Sequence, residues 1–224
     1  QINLFGMKLK IIHSLILLLI GNTIYCQAKF KGLINEFQFS VNKTQVIAHN
    51  TFNRNGFGLG FYHDFTPERK LKCILGIEYN RTNQKKLVGE YTHFSIESDV
   101  TYHLNIVSIP VLARFKFGNK FKVLVDSGIY ADYIVYMNKD GTRSGVSFDP
   151  ITHESHNYEV KFNYGTNDAN RVLAGLSLGL GIGFPIAKCD FIIKAEYKAG
   201  LNRFDIYSEL TYNNYSRVSV GVKI

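Results

Sequence analysis

Histidine, serine and carboxylate side chains gather in one stretch of this 224-residue chain. His153, Glu154, His156 and Glu159 have the residue types and the close spacing with which imidazole and carboxylate hold zinc or copper. Ser155 stands between His153 and His156, and Ser95 follows His93 by two positions. A serine beside a histidine is half of a nucleophile and base pair for acyl transfer. A second set of ionisable residues is dispersed along the chain. Five acids, Glu36, Glu78, Asp126, Asp132 and Glu196, and seven bases, Arg114, Lys116, Lys122, Lys194, Lys198, Arg217 and Lys223, interrupt runs rich in apolar residues. What either set can do depends on the elements that hold it.

Those elements are strands. In Arg171–Ile186, RVLAGLSLGLGIGFPI, Val172, Ala174, Leu176, Leu178, Leu180, Ile182 and Phe184 fall on every second position, with small residues between most of them. A strand gathers the large apolar groups on one face, whereas a helix would scatter them. Seven further segments alternate in the same way: Leu33–Val41, Gly56–Phe65, Leu71–Arg81, Tyr102–Phe117, Phe121–Tyr136, Phe191–Asn202 and Arg217–Ile224. Their links alternate in length. Thr66–Lys70, Gly118–Lys120 and Ala187–Asp190 are tight turns, while the longest link runs from Asn138 to Asn170. The pattern predicts an all-β fold, an eight-stranded antiparallel up-and-down transmembrane β-barrel with its short turns and both termini on the periplasmic side. Phe65, Phe117, Phe121, Phe184 and Phe191 lie beside the turns and are expected to form an aromatic girdle.

The N-terminus agrees with a membrane address. Met7 reads as a start, followed by Lys8 and Lys10, the apolar Ile11–Ile20 and a polar stretch ending at Cys26. That is the layout of a secretory signal peptide, and its apolar core is too short for a membrane helix of roughly 20 residues. Residues 1–26 are therefore expected to be upstream sequence and a cleaved leader, and 27–224 the barrel. Export followed by a barrel implies an outer membrane. The formal charge of +8 includes Lys8 and Lys10, and no basic run is long enough to suggest nucleic acid. Seventeen phenylalanines and fourteen tyrosines without tryptophan suit the two membrane interfaces. Cys73 and Cys189 fall on nearly opposite walls and are read as free thiols.

With the apolar faces turned to lipid, all twelve charges above face the lumen. An eight-stranded barrel has an interior that side chains fill, and charges withdrawn from water require partners. The expected role is a salt-bridge plug that conducts nothing substantial, with a proton or ion path as the alternative. The histidine-rich stretch falls in the longest link, where a mobile polar loop would give a metal no fixed geometry, so no metal or cofactor is expected. Ser155 and Ser95 are similar in setting to the serine–histidine pairs of outer-membrane lipid A deacylases. Such an enzyme places its nucleophile, base and acid on the lipid-facing wall, and these residues are expected in loops. No catalytic residue is assigned. The glycines of Ala174–Phe184 are no phosphate loop, since no helix follows them, and are expected to admit larger side chains from neighbouring strands.

SIPVLARF at Ser108–Phe115, VDSGIYADYIV at Val125–Val135, the glycine-rich strand, AEYKAGLNRF at Ala195–Phe204 and the terminal RVSVGVKI resemble the PorT-like outer-membrane β-barrel family of the Bacteroidota. The resemblance covers most of the chain after residue 26. It implies a small outer-membrane barrel, with type IX secretion as one family role. The expected function is a non-enzymatic scaffold or binding module in contact with membrane lipid and lipopolysaccharide. It would meet a protein partner through extracellular loops or in a secretion complex. Phe148, Tyr158, Phe162 and Tyr164 of the longest link are the expected contacts. The rival readings are a lipid A-modifying hydrolase and a soluble periplasmic ligand-binding barrel.

Overall fold

The computed structural model describes residues 34–46, 51–65, 70–86, 91–92, 95–151, 153–165, 170–186, 188–202 and 213–224. The expected leader, Leu33 and His93 lie outside them. Ten strands are described: β1 (Glu36–Val46), β2 (Thr51–Asp64), β3 (Leu71–Lys86), β4 (Tyr91–Thr92), β5 (Ser95–Phe117), β6 (Lys122–Phe148), β7 (Ser155–Gly165), β8 (Val172–Ile186), β9 (Cys189–Gly200) and β10 (Asn213–Lys223). All pairings are antiparallel. The sheet closes because β1 lies between β2 and β10 while β6 takes both β5 and β8 along its length. Eight strands make the wall. β4 adds two residues beside the start of β5, and β7 pairs with the far end of β6.

The two faces follow from the alternation. Phe57, Leu59 and Phe61 of β2, and Leu176, Leu178, Leu180 and Ile182 of β8, are exposed on the outer wall. Tyr62, Glu78, Arg114 and Lys194 are buried inside it. An apolar outside over a charged inside is the reverse of a water-soluble domain, and it is the arrangement a bilayer requires. The soluble ligand-binding alternative needed the opposite faces. At the short-turn end Phe65, Phe117 and Phe121 are exposed, and the Phe184 and Phe191 rings stand 5.2 Å apart on neighbouring strands. Cys73 is exposed and Cys189 half-buried.

One expected element is corrected. Asn138–Asn170 is not a long loop. Asn138–Phe148 continues β6 and pairs with β7 in unbroken register, from Asn138 opposite Gly165 to Phe148 opposite Ser155. A tight turn joins them: Asp149 N–H donates to Glu154 O and His153 N–H to Asp149 O, both at 2.9 Å, with His153 at φ 57°. Phe162 turns inward over Gly141, where a Cβ would stand 2.9 Å from the Phe162 ring. β5 likewise begins at Ser95 rather than Tyr102 and supports the extension from the other side, pairing as far as Ser95 opposite Gly145. The wall strands β5 and β6 thus project well past the other end of the barrel.

A bulge sets what this end contains. Asn105 opposes Tyr136 and Ile106 opposes Ile134, so Val135 is an extra residue on β6. Because side chains alternate with period two, one extra residue moves the inward face from even to odd positions. Asp132 and Ile134 point inward before the bulge, and Met137 and Lys139 after it. The result is an apolar cluster of Val100, Tyr102, Leu104, Ile106, Ile134, Met137 and Leu173, all buried, with Phe162 packed against it.

Glycine makes room for bulky inward side chains. A Cβ on Gly76 would come within 2.5 Å of the Tyr62 ring and 3.0 Å of Pro110, and one on Gly60 within 2.7 Å of the Tyr62 hydroxyl. On β8, Gly175 does the same for Tyr130, at 2.4 Å from its hydroxyl. Gly76→Ala should therefore destabilise the barrel by about 1–3 kcal/mol, the usual cost of overpacking. Urea unfolding in detergent micelles, followed by heat-modifiable gel mobility, measures it. Unchanged stability would mean the Tyr62 ring moves freely.

Candidate functional site

The lumen has three layers. The central one is a continuous ladder of opposite charges. From β5, Arg114 donates Nη1–H to Glu36 Oε2 of β1 at 2.5 Å, and Nε–H and Nη2–H to the Asp126 carboxylate of β6 at 2.6 and 2.9 Å. Lys194 of β9 reaches Asp126 at 3.1 Å and Glu196 at 3.4 Å. Arg217 of β10 donates to Glu196 at 2.7 Å and to Glu78 of β3 at 2.7 Å. Lys198 closes the ladder on Glu78 at 2.7 Å and also donates to Ser108 at 3.0 Å.

Neutral groups fill the gaps. Tyr62 of β2 donates to Glu78 at 2.6 Å and accepts from Arg217 at 2.8 Å, and Ser177 of β8 donates to Glu196. Lys198 lies over the Tyr130 ring, 4.7 Å from its centroid. The ladder holds four carboxylates and four cations. With Tyr62 and Ser177 it draws a side chain from every wall strand. All eight charged members are at most 4% exposed, so the mutual pairing does what water would otherwise do.

The layer at the short-turn end is basic. Asp64 accepts from Lys72 at 2.8 Å and from Lys223, and Asp190 accepts from Lys122. Lys72, Lys122, Asp190 and Lys223 line a cavity of about 20 Å³, room for a single water. Asp64 and Asp190 were not singled out in the sequence, although Asp64 has the inward parity of Tyr62. Two members of the expected network are not ion-paired among the described residues. Lys116 lines this mouth half-buried without a carboxylate partner, because Phe117 ends its strand at the turn. Asp132 is buried without a salt bridge, beside Ser108 and Lys198 and with the Tyr215 hydroxyl 3.5 Å away. Of the other ten expected charges, eight pair with one another in the ladder, and Lys122 and Lys223 pair with Asp190 and Asp64.

The third layer is the apolar cluster, and above it stands a second small charge site. Glu97 of β5 takes Lys139 at 2.8 Å, Arg143 at 2.5 Å and the Tyr164 hydroxyl at 3.1 Å. Arg143 also stacks over Phe162, 5.6 Å from its centroid. Sequence reasoning missed Glu97, Lys139 and Arg143. Their parity was hidden twice, by Val135 on β6 and by a second register shift between Ser98 and Thr101 on β5 that turns Glu97 inward. Of the expected contacts, Phe148 is exposed at the hairpin tip, Tyr158 is half-buried on β7, Phe162 is packed inward and Tyr164 is held by Glu97.

The metal and nucleophile candidates spread apart on the hairpin. His153 is in the turn, His156 and Glu154 approach only to 3.7 Å at high exposure, and Glu159 lies further along β7. Among the described residues no three His, Cys, Asp or Glu form a metal-holding group. Ser155 and His156 are successive residues of one strand, so their side chains leave opposite faces. Ser95 opposes Gly145.

A closed antiparallel wall with an apolar outside and a charge-filled lumen defines a small β-barrel of the outer membrane. Residues 26–205 match the family described as outer membrane protein beta-barrel domain, and the chain belongs to that family. Among solved structures it is similar to Neisserial surface protein A, at 9% identity over 84% of this chain and 95% of that one, with a TM-score of 0.47. It is also similar to Ail, the attachment invasion locus protein of Yersinia pestis, at 13% identity over 85% and 98%, TM-score 0.37. The outer membrane enzyme PagL is similar at 13% identity over 84% and 98%, TM-score 0.41. No curated protein matches the chain by sequence.

Two outcomes test the site. Arg217→Met takes one cation from both Glu78 and Glu196 and leaves the buried ladder one positive charge short, which should cost about 3–5 kcal/mol of unfolding free energy; a loss under 1 kcal/mol would mean water enters the lumen. At the hairpin end, burial raises the Glu97 carboxyl, but the Lys139 and Arg143 hydrogen bonds outweigh it and hold it below the usual carboxylate range. Because the folded value is depressed, its stabilisation is complete above the ordinary carboxylate value of about 4. It is lost as pH falls through the lower folded value. Amide exchange across Lys139–Tyr164 should accelerate below that range in wild type, and at all pH values in Glu97→Gln. Exchange that ignores both changes would sink the assignment.

Proposed function

We propose that this is a non-enzymatic contact protein of the outer membrane. It presents the β6–β7 hairpin to the outside, with its short turns and both termini in the periplasm and residues 1–26 as its export leader. The observation that carries this reading is the hairpin itself. It is a continuation of two wall strands, clamped by Glu97, Lys139, Arg143 and Tyr164 rather than hanging loose. Rigid presentation lowers the ordering cost of association. Phe148 and Val160, 61% and 49% exposed, are apolar contact groups at its tip and along its edge strand.

The lumen supports the same reading. A neutral, mutually paired ladder beneath an apolar cluster favours a structural plug over an ion path. The divergent side chains of Ser155 and His156 favour a non-enzyme over a lipid A hydrolase. The PorT-like motifs leave an envelope assembly such as type IX secretion as the setting in which a partner would be met.

The test replaces Gly141–Phe162 by a two-residue turn. The trimmed barrel should keep its heat-modifiable mobility, leave the lipid A acyl pattern unchanged in a deletion-complemented strain, and lose the proteins that crosslink to the intact barrel on whole cells. An identical set of crosslinked proteins from both forms would remove the support for the hairpin. An acyl pattern restored by wild type but not by Ser155→Ala would favour the hydrolase.

A further inference from the structure

Among the described residues β7 pairs only with β6. The bond from Asp149 N–H to Glu154 O fixes the phase of that ladder, and the register never shifts. Even-numbered residues of β7 therefore turn their main-chain groups to β6. Ser155, Asn157, Glu159, Lys161, Asn163 and Gly165 turn theirs to the open side. Eleven residues of free edge, with no proline and no bulge, are a template for another strand.

Resting on the reading of the hairpin as the contact element, we propose that this edge pairs with β7 of a second copy of the chain. The two strands would run antiparallel about a two-fold at Val160, and the second barrel would sit in a facing membrane.

The sequence of β7 is self-complementary in that register and in no neighbouring one. Val160 is the midpoint of Ser155–Gly165, so the two strands overlap over their full length. Glu159 then faces Lys161 of the partner, and Lys161 faces Glu159. Tyr158 faces Phe162, Asn157 faces Asn163, and Val160 meets its own copy. Glu159 and Lys161 are exposed and point away from the barrel axis, free to make these pairs. A slip of two residues one way sets Glu159 against Glu159, and the other way Lys161 against Lys161, and like charges directly opposite are unfavourable. A slip of one residue brings main-chain groups that point outward against ones that point inward. A parallel arrangement in this alignment would again oppose like charges.

The symmetry dictates the placement of the second barrel. The two-fold relating antiparallel strands runs normal to their sheet and reverses strand direction. β7 pairs with β6, and β6 is itself a wall strand, so the whole second barrel is inverted. Two copies in one membrane cannot have that relation, whereas copies in two apposed membranes do. A single strand pair is weak, but many pairs between two surfaces act together.

The experiment uses the full chain in phosphatidylcholine vesicles, with two populations carrying donor or acceptor lipid dyes. Wild-type vesicles should cluster and transfer energy. Vesicles carrying only Glu159→Lys, or only Lys161→Glu, should fall to the level of empty vesicles. Mixing Glu159→Lys vesicles with Lys161→Glu vesicles should restore clustering, as should the double exchange E159K/K161E alone. Val160→Cys, in a chain whose own cysteines are alanine, should form a disulfide dimer between the two populations. Heat-modifiable mobility confirms that each variant is folded. If the charge variants cluster like wild type, or the mixed pair fails to recover, self-pairing is overturned. If clustering then still disappears on trimming the hairpin, the contact role stands without it. Clustering that survives trimming overturns both.

Discussion

Charge withdrawn from water must find a partner, and the barrel is organised around that constraint. The ladder from Glu36 through Arg114, Asp126, Lys194, Glu196, Arg217 and Glu78 to Lys198 takes side chains from β1, β3, β5, β6, β9 and β10, with Tyr62 and Ser177 adding β2 and β8. Its worth is in specificity more than in stability, since a buried ion pair roughly balances its own desolvation. A one-residue slip of β9 would carry Lys194, Glu196 and Lys198 to the lipid face. Each lysine would then cost about 2–4 kcal/mol near the midplane. The ladder would lose half its cations in the same step. Register in all eight strands is thus tied to one set of contacts.

The same alternation that exposes an apolar wall would leave the hairpin end of the lumen charged and wet if it ran unbroken. The extra residue Val135 changes the phase of β6 and turns Met137 inward beside Leu104 and Ile106. Above that layer, the new phase turns Lys139 inward, and a second register shift, between Ser98 and Thr101 of β5, turns Glu97 to meet it. Gly141 then admits Phe162, which seals the apolar layer from the hairpin side. Two irregularities, Val135 on β6 and the shift between Ser98 and Thr101 on β5, together account for the apolar closure and for the clamp that holds the hairpin upright.

Fold and sidedness were legible because period two is a strong signal when one face must be apolar. The runs Leu176–Ile182 and Ile193–Leu201 allow only one assignment of faces. The ladder charges were legible for the same reason, as interruptions on the opposite face. The rule fails where both faces are buried in protein. Tyr102, Leu104 and Ile106 have the inward parity of Ser108, yet a rule that sends apolar groups to lipid gives them no place in the lumen. The hairpin was hidden in another way. Its residues, Lys139 to Tyr164, mix charges, glycine and aromatics on both faces, because above the membrane neither face is covered by lipid and no hydropathy contrast is enforced. Lys116 shows the limit at the turn end, where inward parity no longer guarantees a partner.

The rigid lumen and the projecting sheet are one mechanical object. β5 carries Arg114 of the ladder at one end, Leu104 and Ile106 of the apolar layer in the middle, and Glu97 of the clamp at the other. β6 carries Asp126, Ile134 and Lys139 in the same sequence of layers. No hinge separates wall from projection, since paired register runs through both except at the bulges. Side chains fill the interior through all three layers, and on the proposed reading the barrel is a support and not a passage. What it can do is hold a defined strand edge at a fixed height and angle above the membrane, and an association that depends on a single strand register needs that constancy.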